Sequence, residues 1–150
     1  MALIGGIENI EGENRILYAP RKASYLFYFE EEGNLMKSVE TIDKVKLVNA
    51  EPEMQDGVYT ASAPSMLAEQ SDFIISNDTL LVKSFKYTDE TKQERIDFID
   101  FYSIDGEEYF FSVEVPFIST YFTKHGNRYY FIEIIDNQEL VLRGYTLSLN

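Results

Sequence analysis

The chain has 150 residues, 45% of them hydrophobic, and its 26 acidic against 13 basic side chains give a formal charge of −13. That length makes one domain, able to bury roughly two-thirds of its unfolded surface, and the negative charge opposes binding to nucleic-acid phosphates or anionic lipid. Cysteine is absent, which excludes a disulfide framework and thiolate chemistry, while the 11 Tyr and 11 Phe suit pleated surfaces better than a helical bundle.

The charge is spread evenly, with 13 acidic and 6 basic side chains in residues 1–75 and 13 and 7 in residues 76–150. Such a spread reads as a solvated surface rather than a recognition tail. The opening MALIGGIENIEGEN has neither the basic n-region nor the apolar h-region of a signal peptide, and no apolar run reaches the ~18 residues of a membrane span. A cytoplasmic protein is expected, unless a targeting segment has been removed.

In chain order, residues 1–13 read as an extended lead broken by Gly5, Gly6 and Gly12, with a short strand over Ala2–Ile4. A strand follows at Arg15, then Ser24–Glu30, which alternates Tyr25, Phe27 and Phe29 with Leu26 and Tyr28. Glu31–Asn34 is a turn, and Leu35–Ile42 the next strand. For Asp43–Gln70 the reading is an insertion on one face, with Lys44–Asn49 and Val58–Ala61 pairing as a hairpin. Pro64–Gln70 then reads as one or two helical turns with Pro64 at the first helical position.

Phe73–Pro116 is the most regular stretch and reads as four antiparallel strands. Phe73–Ser76 stops at Asn77-Asp78, residues that tolerate turn backbone. Thr79–Tyr87 and Arg95–Ser103 flank the polar Thr88–Glu94, and Asp105-Gly106 is a hairpin signal. The last strand places Tyr109, Phe111, Val113 and Val115 on one face. The two middle runs are apolar on both faces and the last on one, a grading from covered to half-solvated strands that a propeller blade requires. The pattern starts a third time with Phe117–Thr123, Arg128–Ile135 and Glu139–Leu149, and no fourth strand follows.

The phrases SNDTLLVKSF, RIDFIDFYSIDGEEYFFSVEVP and HGNRYYFIEIID…LVLRGYTL resemble blades of the six-bladed, TolB-like β-propellers abundant in Bacteroidetes. The likeness is weaker over Arg15–Ile42. It implies an all-β protein of antiparallel four-stranded meanders with blade-like units near 14–42, 73–116 and 117–150, about half of a six-bladed ring. A blade takes ~40–45 residues, so the chain holds about three, and three do not close a ring. Two copies would complete it as a homodimer, with an N-terminal strand such as Ala2–Ile7 finishing each last blade. Alternatively the chain is a fragment of a longer protein or pairs with a partner protein. The competing fold is a closed up-and-down, lipocalin-like barrel.

Chemistry is sparse. His125 is the lone histidine and sits in a turn, which suits solvent better than general-base work. Glu30–Glu32 and the acids at Asp105, Glu107 and Glu108 lie beside turns. Asp97 and Asp100 fall inside an apolar strand on opposite faces and are candidates for ligand binding, the default being that one binds backbone amides or a Tyr hydroxyl between sheets and the other faces solvent. Tyr121, Tyr129, Tyr130 and Tyr145 are candidates for a sugar- or aromatic-binding surface, with core packing as the default. No catalytic, cofactor or metal motif appears, and neither nucleic acid nor membrane is an expected partner. The leading expectation is a non-enzymatic binding or scaffold module with an acidic surface for a protein or small ligand. The alternatives are a small-molecule carrier barrel, a glycan-acting enzyme and an acidic inhibitor mimicking nucleic acid.

Overall fold

A computed structural model of the protein describes residues 5–21, 23–44, 52–55, 58–61, 68–88, 94–135 and 139–146. These residues form strands and turns without a helix. The first sheet is a four-stranded meander of β1 (Gly5–Ile10), β2 (Arg15–Pro20), β3 (Tyr25–Glu30) and β4 (Leu35–Glu40). A hairpin of β5 (Pro52–Gln55) and β6 (Val58–Ala61) follows. The second sheet is again a four-stranded meander, of β7 (Ala68–Ser76), β8 (Thr79–Tyr87), β9 (Arg95–Ser103) and β10 (Tyr109–Val115). The third has three strands, β11 (Ser119–His125), β12 (Arg128–Ile135) and β13 (Glu139–Thr146). All pairs are antiparallel.

Strand alternation decides how the sheets stack. On β8, Leu80 and Val82 point one way and Leu81 and Lys83 the other, and every one of them is buried. The first set, with Phe73 and Tyr102, packs against Ile10, Leu17, Ala19, Leu26 and Tyr28 of the first sheet. The second set's side carries Leu81, Ile99, Phe101 and Val115, which pack against Phe122, Tyr129 and Phe131 of the third sheet. The middle sheet is therefore covered on both faces, and each such aliphatic side chain contributes about 1.5–3 kcal/mol by leaving water. Edge strand β10 is half exposed, so the expected grading from covered to solvated strands is present.

The sheets converge along their first strands, since β7 lies beside both β1 and β11. Gly6 permits that approach: a Cβ there would stand 2.7 Å from the Phe73 ring. On the other side, Lys124 Nζ donates to Ser76 Oγ at 2.5 Å, tying β11 to β7. The β9–β10 turn needs Gly106 twice over. Its φ of 74° is left-handed backbone, and a Cβ would meet the Tyr28 hydroxyl at 2.7 Å.

Several expectations are corrected. Gly5–Ile10 is not a free lead but the first strand of its own chain's sheet, so residues 5–7 are already paired with Tyr18, Ala19 and Pro20. They cannot complete another copy's last sheet without leaving β2, and Ala2–Ile4 lie outside the described residues. Residues 68–70, expected as helix, belong to β7 and pair with Ser84, Phe85 and Lys86; residues 64–67 lie outside the described residues. The partner of Val58–Ala61 is Pro52–Gln55, and residues 45–49 are again outside them. A register shift between Tyr109 and Phe111 turns Tyr109 to the face of Tyr102, opposite Phe111. The closed-barrel alternative falls, because the described strands make separate sheets that stack face to face rather than one sheet joined edge to edge.

Candidate functional site

The two aspartates of β9 occupy opposite faces, as alternation requires. Asp97 points toward the third sheet and is buried. Its Oδ2 lies 2.9 Å from Lys83 Nζ and accepts from the Ser119 amide at 3.0 Å. Arg95 grips the same carboxylate through Nε at 2.6 Å and Nη2 at 3.0 Å, while stacking its guanidinium over the Phe85 ring at 3.8 Å. Lys83 Nζ also donates to the Ser119 carbonyl at 2.8 Å. Burial would raise the Asp97 carboxyl, but the Arg95 bonds, the Lys83 charge and the Ser119 amide together hold it below its ordinary value. The expectation of an aspartate binding backbone amide between sheets is met here, with two cations besides.

Asp100 differs from its expectation: it is buried rather than solvent-facing. It accepts from Ser84 Oγ at 2.6 Å and from the Ser112 hydroxyl, which is itself within 2.8 Å of the Tyr109 hydroxyl. Burial raises its carboxyl against those two hydroxyl bonds. Close by, Asp43 is pushed up to about 6 by burial and by the Asp100 charge, with Lys86 pulling the other way. Its Oδ2 has no hydrogen-bond partner among the described residues. The Ile42 amide donates to the Tyr102 hydroxyl at 3.1 Å, so the chain leaving the first sheet is pinned over this polar patch. Nothing in the local pattern around Asp43 announced it, because the charges that act on it, Asp100 and Lys86, belong to the second sheet and lie far along the chain.

The tyrosine set is split. Tyr129 is buried in the core between the second and third sheets, and Tyr145 stacks on Phe117 beside it at 5.4 Å between centroids. Tyr121 is exposed, and its face of the third sheet is shared with Tyr130, since Tyr121 pairs with Ile132 and Thr123 with Tyr130. One surface therefore holds Tyr121 and Tyr130 and not the other two. A cleft of about 190 Å³ opens between the second and third sheets beside Val113, Phe117 and Tyr145, smaller than the ~300 Å³ at which small-molecule pockets begin.

A charged feature emerges instead at one end of the stack. The β1–β2 and β3–β4 turns carry Glu11, Glu13, Glu31 and Glu32, all exposed. The β9–β10 turn adds Glu107 and Glu108, and Lys37 Nζ links it to the first sheet through Glu107 Oε1 at 2.6 Å. The Ile104 amide bonds the Asp78 carbonyl at 3.1 Å, holding that turn against the β7–β8 turn. The acids that read singly as turn residues thus share one rim. His125 is exposed at the end of β11. Among the described residues no group of three or more His, Asp or Glu side chains is placed to hold a metal ion. Comparison with protein-family models, with curated proteins and with solved structures finds no match to this chain.

Proposed function

We propose that the protein is a non-enzymatic binding module, built from three propeller-like blades, that presents an acidic rim to a cationic partner. The rim is the observation that carries the reading: exposed carboxylates from neighbouring turns of two sheets sit at one end of a rigid stack. The acids that a catalytic reading would need, Asp97 and Asp100, are taken up in joining and filling the sheets. A site made of turns on a stiff β-scaffold suits recognition, and like-signed carboxylates on one surface attract cations over a Debye length of about 10 Å at 0.1 M salt.

The test uses a labelled oligolysine and compares two triple variants. Substituting Glu31, Glu32 and Glu108 by Gln is expected to weaken binding about tenfold at low salt, and ~0.5 M salt to abolish the difference. Substituting Glu40, Glu94 and Glu139, exposed at the opposite end, is expected to change it less than threefold. Equal losses in the two variants would mean that net charge alone is being measured and that the rim is no site.

A further inference from the structure

We propose that the two outer faces of the stack bind each other across two copies of this chain, head to tail, closing a twofold ring of six sheets. The inference rests on the blade reading above. The argument is one of equivalent positions. Ile7 stands opposite Tyr18 in the first sheet as Phe73 stands opposite Val82 in the second and Phe122 opposite Phe131 in the third. Phe73 and Phe122 are 3% and 4% exposed, each covered by the preceding sheet, whereas Ile7 is 69% exposed. The opposite face repeats the observation. Leu26, Ile99 and Leu142 each stand two residues before the partner of Leu17, Leu81 and Tyr130. Leu26 and Ile99 are 0% and 2% exposed against the following sheet, and Leu142 is 68% exposed.

The bare face of the first sheet is therefore of the kind that receives a preceding sheet, and the bare face of the third is of the kind that receives a following one. Each is what the other lacks. A third sheet from one copy set against the first sheet of another repeats a junction that the chain already makes twice, and two copies joined so twice form a closed assembly. Charge agrees with that order: Arg128 stands at the turn end of the third sheet's outer face, and Glu31 at the same end of the first sheet's. Pairing like face with like would set Glu31 against Glu31. Size agrees as well. A face three strands wide and seven residues long spans roughly 330 Å², and four such faces come to about 1,300 Å², inside the range of stable interfaces. A groove of about 420 Å³ along Ile7, Ile16, Tyr18 and Phe29 leaves room for incoming side chains.

The experiment is light scattering on the intact chain and two variants. The wild type is expected at twice 17.4 kDa. Ile7→Glu and Leu142→Glu are each expected to be monomeric, with the dissociation constant raised at least ~100-fold and an unchanged β-sheet circular dichroism spectrum. Should either Glu variant lose that spectrum, Ile7→Ser or Leu142→Ser takes its place. An equimolar mixture of the two variants is expected to associate at least ~10-fold more tightly than either variant alone, though less tightly than the wild type, because one native junction survives between the intact third sheet of the first variant and the intact first sheet of the second. A monomeric wild type, a variant that stays dimeric alone, a mixture that associates no more tightly than either variant alone, or an assembly larger than two would each overturn the proposal. A monomer that still binds oligolysine through the rim would remove the ring and leave the binding module standing.

Discussion

Replacing Asp97 by Asn is expected to destabilise the fold by about 3–5 kcal/mol, the range for breaking one side of a buried ion pair. Lys83 Nζ and Asp97 Oδ2 are 2.9 Å apart with neither side chain exposed, so at an effective dielectric constant of ~20 their attraction is about 6 kcal/mol. Asn keeps an acceptor for the Ser119 amide but sets a donor where Oδ1 accepts from Arg95 Nε, so the substitution removes the charge together with that one bond. Arg95 is one-fifth exposed and can turn toward water, whereas Lys83 is left in the core without its carboxylate. With a urea m-value of ~2 kcal/mol/M the midpoint falls by about 2 M. The Lys83→Met/Asp97→Asn double variant is expected to regain at least half of the loss, because both charges are then gone. Acid should act the same way: the Asp97 carboxyl is held down in the folded state, so its contribution is complete above the ordinary carboxyl value and is lost as pH falls through the depressed one. An Asp97→Asn loss below ~1 kcal/mol, or a double variant no better than the single, would refute the account.

Asp43 works in the opposite direction. Its folded carboxyl is raised from 3.8 to about 6, so the folded state holds the proton longer and stability falls as pH rises between those values, the deficit persisting above them. Asp43→Asn should therefore stabilise at pH ~7 by about 1–2 kcal/mol, reduced for partial exposure, and have little effect near pH 4; thermal midpoints at both pH values check it, and a gain independent of pH would sink it. Gly106→Ala must hold a side chain at φ 74° and 2.7 Å from the Tyr28 hydroxyl, at an expected cost of about 2–4 kcal/mol. A urea midpoint within error of wild type would show that the turn relaxes freely.

The strand content was legible because alternation is a local signal. Tyr25–Glu30, Thr79–Tyr87 and Arg95–Ser103 carry it plainly, and Asn77, with φ 52°, marks its turn by residue type. Tyr109 was misplaced because a bulge is invisible in a pattern of alternating residues: one extra residue reverses every assignment before it. Ala68–Gln70 read as helix because Pro64 and Ala68 favour it locally, and pairing with β8 overrides that preference. The fates of Asp97 and Asp100 were half legible. Their opposite faces follow from spacing, but Lys83 and Ser119 are 14 and 22 residues from Asp97, and no local pattern joins them. The rim acids were each legible as turn residues. Their sharing one end depends on how the sheets stack.

The buried polar contacts answer a difficulty that the apolar strands create. β8 and β9 are apolar on both faces, so a slip of their pairing exposes little that is polar and hydrophobicity alone selects the register weakly. Asp97 and Asp100 remove that freedom. A one-residue slip would carry Asp97 away from Lys83 and Ser119 and turn Asp100 from its serines, stranding two carboxylates; a two-residue slip would leave each on its proper face opposite the wrong partner. Pairing Lys83 with Ile99 and Ser84 with Phe98 keeps Ser84 Oγ within 2.6 Å of Asp100 and Lys83 Nζ within 2.9 Å of Asp97. The Lys83→Met/Asp97→Asn protein separates the two roles, since it should regain stability while losing uniqueness, seen as doubled amide resonances along β8 and β9. A single sharp set would show that packing and the Asp100 bonds to Ser84 and Ser112 hold the register without the ion pair, which then serves only to satisfy its own burial.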